Sequence, residues 1–192
     1  MINNQFLPKD YGENKGLNET GGGYMKFIKG ANRFRIMSSP IVGWEWWEET
    51  EDGKRTPKRV KINEKIDVST VADPESIKRF WAMVVYNYEL KKFQILEITQ
   101  KGIQKTLEAL VSDDDWGTPV QTYDLVVTKS GEKMETKYET LPKPKSKMDE
   151  GIVQLYEDTK IELNALYEGK DPFSSGQTLS DEDMDDISEK VK

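Results

Sequence analysis

FWAMVVYNYELKKFQILEITQKGIQKTLEAL, residues 80–110, changes its periodicity partway along, and that change decides the fold class. Its first part alternates. Successive strand side chains point to opposite faces, so Phe80, Ala82, Val84, Tyr86 and Tyr88 share one face and Trp81, Met83 and Val85 the other. The Trp81 set reads as interior. Tyr86 and Tyr88 carry hydroxyls that seek water or a partner, and they read as outward. Tyr88-Glu89-Leu90-Lys91 is a tight polar connection, so KKFQILEIT returns as the second strand of a hairpin. Over residues 99–111 the period lengthens, with Ile103, Leu107 and Leu110 at i, i+4 and i+7. That spacing predicts a short amphipathic helix with Thr99 as its N-cap.

Working outward, YMKFI, NRFRIMSSPIVGWEWWEE and PKRVKIN precede this stretch, rich in β-branched and aromatic residues and bounded by turn formers. Glu51-Asp52-Gly53-Lys54 is a turn, and residues 63–76, with Asp73-Pro74, form a longer loop. After the helix, Asp113-Asp114-Asp115 and Gly117 break the pattern, and QTYDLVVTK and EKMETKYETLP follow as two strands joined at Lys129-Ser130-Gly131-Glu132. The order predicts a mainly β fold. It is that of a five-stranded Greek-key OB-type barrel with an inserted β-ribbon and a helix between strands 3 and 4.

Residues 141–147 form a basic, Pro-punctuated exit. A C-terminal amphipathic helix is expected over 148–169, with Ile152, Leu155, Tyr156, Thr159, Leu163 and Leu166 on one stripe and Gly169 ending it. Nothing in the stripe says whether this helix docks on the barrel or serves self-association. Residues 1–23, closing in Gly21-Gly22-Gly23, read as a flexible arm, residues 24–147 as the folded body, and residues 170–192 as a disordered acidic tail.

Charge divides the chain. Residues 24–147 hold 22 Lys and Arg against 19 Asp and Glu, whereas residues 148–192 hold 4 against 13. The body is therefore suited to a polyanion and the tail is not. The absence of cysteine and histidine excludes disulfides, thiolate metal sites and imidazole catalysis. Asp113-Asp114-Asp115 is better explained as a helix exit than as a metal site, since three consecutive carboxylates in a turn do not converge on one ion. The expected protein is no enzyme and needs no cofactor. No apolar run approaches the roughly 18–20 residues that span a bilayer, and the N-terminus lacks a signal-peptide pattern. A cytoplasmic protein without membrane contact is expected.

Basic residues interleaved with aromatics suit single-stranded nucleic acid, because cations track phosphates while flat rings stack on unpaired bases. Arg33 and Arg35 leave one face of their strand; Lys58 and Arg59 sit on the ribbon beside Trp44 and Trp46; Lys91 and Lys92 flank the hairpin beside Tyr86 and Tyr88. These ten residues are the candidate nucleic-acid contacts, with the arginines and lysines on phosphates and the rings on bases. Alternation puts Trp47 on the face opposite Trp44 and Trp46. An acidic run is by default a solvated segment. Joined to a basic body, Asp181, Glu182, Asp183, Asp185, Asp186 and Ile187 are also candidates to meet a basic, apolar pocket on a partner or to compete with nucleic acid.

NRFRI (residues 32–36), VYNY (85–88) and ILEITQKGIQK (95–105) are the most specific parts of a resemblance that covers about residues 24–147. The chain resembles phage-encoded OB-fold single-stranded-DNA-binding proteins. That resemblance implies sequence-independent binding and protection of single strands during DNA replication, recombination and repair. It also implies recruitment of replication or recombination proteins through the acidic C-terminus, in an infected bacterial cell. The chain departs from relatives that hold a structural zinc, end in an aromatic residue or carry a basic N-terminal arm. The alternatives are a protein-interaction module working through the acidic tail on a host or replication enzyme, and an OB protein that binds RNA.

Overall fold

A computed structural model of the chain describes residues 23–173. The expected arm up to residue 22 and the tail from 174, including all six tail candidates, lie outside the described residues.

Among the described residues, eight strands and two α-helices follow one another: β1 (Tyr24–Met25), β2 (Gly30–Ile36), β3 (Ile41–Glu49), β4 (Arg55–Lys61), β5 (Lys78–Asn87), β6 (Lys92–Ile98), α1 (Lys101–Val111), β7 (Asp124–Ser130), β8 (Lys137–Pro142) and α2 (Glu150–Asp158). The mainly β expectation holds, and so do the hairpin, the ribbon and the helix before the last two strands. The single sheet runs β1-β6-β5-β2-β7-β8, with β3 pairing both β4 and β5. All pairings are antiparallel except β1 on β6.

A closed barrel is not what forms. No ladder joins β8 to β1, and the sheet stays open along that seam. Tyr24–Met25 covers the free edge of β6, and the gap to β8 is bridged by rings instead: Phe27 and Tyr138 lie 5.8 Å apart at their centroids.

β2 and β3 follow the same edge of β5. Between the pairs Ile36↔Val85 and Ile41↔Ala82, five residues advance on one strand against three on the other. This bulge accommodates Pro40, which has no N–H for a ladder. Ser38 Oγ accepts the Val84 N–H at 2.9 Å, satisfying an amide within the bulged stretch. On the ribbon, Gly43 is required by close approach: a Cβ there would lie 2.0 Å from the Val60 carbonyl oxygen.

The sheet is packed on both faces. On one side Phe34, Met83, Val85, Leu96 and Leu125 form a core closed by Ile103, Leu107 and Leu110 of α1. The helix begins one residue later than expected, with Gln100 rather than Thr99 at the N-cap. Asp113 closes its exit, its Oδ1 accepting from the backbone N–H groups of Asp115 and Trp116. On the other side Phe80, Ala82, Val84, Tyr86, Phe93 and Ile95 form a second core. Residues 148–173 cover it. The expected long C-terminal helix is two pieces, α2 and a 3₁₀ turn over Leu163–Glu168, the latter capped by Gly169 at φ 66°. Met148, Leu163 and Leu166 are buried against the strands, and Ile152, Leu155 and Tyr156 pack beside them. The stripe read from the sequence docks on the sheet. No helix among the described residues is long and apolar enough to cross a membrane.

Candidate nucleic-acid interface

Most of the rings and cations expected to bind a strand have other partners. Tyr86 is 7% exposed and sits edge-on between Tyr88 and Phe93, with centroids at 5.2 and 5.5 Å. Tyr88 is half-buried; its hydroxyl donates to Asp124 Oδ1 at 2.8 Å, and burial followed by that bond pushes its pKa up to about 12. Trp46 is 8% exposed, its indole N–H donating to Glu48. Trp44 is half-buried between Val60 and Arg79 in the neighbouring strands.

Arg35 is turned inward as well. It is 1% exposed, pairs with the equally buried Asp124, and donates further to the Ser146 carbonyl and hydroxyl, each at 2.9 Å, and to the Gln121 carbonyl at 3.3 Å. It anchors the exit from β8 and has no surface to offer a phosphate. Arg59 is likewise taken up: its Nε donates to Glu45 at 2.7 Å, Nη2 lies 2.8 Å from Glu97, and the guanidinium lies over Phe80 at 5.7 Å. Arg33 is the accessible member of its pair. It donates to Asp124 at 2.8 Å and stacks over Tyr88 at 4.5 Å while about half its side chain stays in water. Lys58 and Lys91 are exposed, and Lys92 is half-buried.

The open seam brings a different set together. Between β1, the β3–β4 ribbon, β8 and the 3₁₀ turn lies a groove of about 910 Å³. Trp47, the ring placed on the opposite face from Trp44 and Trp46, is 46% exposed along it, and Tyr24 is 37% exposed. Phe27 and Tyr138 line the same groove half-buried. Among the described residues five cations border it, Lys26, Lys58, Arg59, Lys129 and Lys170, against the carboxylates Glu97 and Glu168, the latter paired with Lys170. Lys129 Nζ donates to the Phe27 carbonyl at 3.1 Å, holding the β1–β2 connection to β7. Asn32 fastens the same connection from inside. Its amide donates to the carbonyls of Ile28, Gly30 and Val127 and its oxygen accepts the Ile28 N–H. A smaller hollow of about 80 Å³ shares Met25 and Lys26 with the groove and reaches Arg33.

At the groove floor Arg59 is shared between two carboxylates. Glu97 Oε1 is its close ion-pair contact but is not aligned for a hydrogen bond. Burial pushes the Glu97 carboxyl up, Arg59 pulls it back down, and Glu45 adds a further upward push. Burial also raises the Tyr24 hydroxyl, and the Glu97 charge is the next cause, which places that phenol within the field of this site.

Trp47 was visible in the sequence as the odd member of the Trp cluster, but alternation alone does not say which face is wet. Tyr24 and Lys26 lie about a hundred residues from Lys129 in the chain, and only the seam joins them. No group of acidic side chains among the described residues is arranged to hold a metal ion. The chain matches no protein-family model, no curated protein and no solved structure.

Proposed function

We propose that this chain is a non-catalytic single-stranded-DNA-binding protein that holds the strand in the seam groove. One observation carries the reading: exposed rings and a surplus of cations line the same open channel. Trp47 and Tyr24 offer faces for unpaired bases, a contact worth roughly 1–3 kcal/mol per base. Lys26, Lys58, Lys129 and Lys170 border the channel where phosphates would run, and Arg33 extends the track beyond Lys26. The groove width is set by protein packing and favours no base sequence through phosphate contacts.

We read the order β6-β5-β2-β7-β8 as an OB-type arrangement, a five-stranded and partly open Greek-key barrel, here opened at the seam that β1 enters. The usual OB surface on strands 2 and 3 corresponds to β5 and β6, whose outer face residues 148–173 cover. That cover is the reason to assign binding to the seam. In an infected bacterial cell such a protein would shield single strands during DNA replication, recombination and repair. The acidic residues 181–187 would recruit replication or recombination proteins.

The test is a tryptophan-fluorescence titration with single-stranded and duplex oligonucleotides at several salt concentrations. Quenching by the single strand is expected, with a log–log salt slope of about −0.7 per phosphate neutralised. Lys26→Ala with Lys129→Ala should flatten that slope. Absence of binding at low salt sinks the reading.

A further inference from the structure

Resting on the groove reading above, we propose that Glu97 is a specificity-determining residue that accepts a hydrogen bond from the exocyclic amino group of cytosine or adenine and so disfavours thymine. Arg59 carries one positive charge between Glu45 at 2.7 Å and Glu97 at 2.8 Å, so the floor of an otherwise basic groove keeps one surplus negative charge. A phosphate is repelled there. A neutral donor is not.

The floor therefore selects which part of a nucleotide turns inward: bases face Glu97, and phosphates stay at the lysine rim. Glu97 retains the capacity for such a contact. A carboxylate has about four acceptor sites. Oε1 is turned to Arg59 and buried without an aligned hydrogen bond, so the carboxylate's acceptor capacity is not used up. The side chain is 24% exposed in the groove, within the field of Tyr24, the ring on which a neighbouring base would rest.

Base chemistry then decides the preference. Cytosine carries an N4 amino donor and adenine an N6 amino donor, whereas thymine places the O4 acceptor at the corresponding edge. Two facing acceptors repel. Adenine also stacks well whatever Glu97 does, so the diagnostic pair is cytosine against thymine, two pyrimidines of equal ring size.

The experiment measures binding of equal-length oligo-dC, oligo-dA and oligo-dT to the full chain at one salt concentration, for the natural protein, Glu97→Gln and Glu45→Gln. The natural protein should bind oligo-dC about tenfold more tightly than oligo-dT, the size of one hydrogen bond to a charged group. Glu97→Gln should bring that ratio close to one while leaving the salt slope unchanged, and Glu45→Gln, which removes the surplus charge but keeps the Glu97 acceptor, should lower the ratio by less. If Glu97→Gln fails to fold, Glu97→Asp keeps the charge but withdraws the acceptor by one methylene, and it must reduce the ratio as well. Equal binding of dC and dT by the natural protein overturns the inference and spares the groove reading. So does a ratio that survives in the Glu97 variants. Failure to bind any of the three overturns both.

Discussion

Two aromatic surfaces lie on this one sheet. The outer face of β5 and β6 carries four rings, Phe80, Tyr86, Tyr88 and Phe93. The seam carries four as well, Tyr24, Trp47, Phe27 and Tyr138. The first surface is sealed beneath Met148, Leu163 and Leu166, and the second stays open. The number of rings does not distinguish the two. Availability depends on whether another part of the chain arrives to cover them. The arginines repeat the contrast: Arg35 and Arg59 are consumed by buried carboxylates, whereas Lys26 and Lys58 remain exposed at the groove.

The sharpest way to break this comparison is to cut into each side. Arg35→Ala leaves Asp124 buried with only Arg33 and the Tyr88 hydroxyl against it, and should cost about 3–5 kcal/mol in denaturant unfolding. An Arg35 variant of unchanged stability and weakened DNA binding would mean that the guanidinium reaches the strand after all.

Leu163→Ala tests the cover. Removing a side chain only 8% exposed should cost about 2–5 kcal/mol in the same measurement, most of it from the cavity left in the second core. If single-strand affinity instead rises while stability holds, the covered face is the binding surface and the seam is not. On the open side, Trp47→Ala should shift stability by less than about 0.5 kcal/mol and weaken single-strand binding by about 1–3 kcal/mol. Loss of stability without loss of affinity would make Trp47 a packing residue.

The smallest effect concerns pH. Burial raises the Glu97 carboxyl above its ordinary value of 4.5. Above that value the folded protein still holds a proton there that the unfolded chain has released. The stabilising contribution is full below pH 4.5 and is lost as pH rises through the raised value. Thermal melts from about pH 4 to about pH 8 should therefore fall less steeply with pH for Glu97→Gln than for the natural protein. Parallel curves would show that the carboxyl titrates as it does in water.

The strands, the hairpin at Tyr88-Glu89-Leu90-Lys91, the ribbon and α1 were legible because each rests on a period of two or of 3.6 between turn formers, which are local properties of the chain. Even the interior face of β5, with Met83 and Val85, followed from alternation. The candidate site was legible only in kind, as rings beside cations. Tyr86 and Tyr88 look outward by alternation, and they do leave the first core, but a segment some sixty residues further along lies over them. The ends of β5, β6 and β8 carry no mark that says whether the sheet closes.

By itself the sequence determined the mainly β class, the order of the central strands and α1, the split of charge and the exclusion of histidine and cysteine chemistry. Those follow from residue type and spacing alone. Only the tertiary structure decided that the seam stays open, that residues 148–173 seal the aromatic face, and that Tyr24, Lys26, Trp47, Glu97 and Lys129 meet in one groove. Those are contacts between distant segments, which no local period of the sequence encodes.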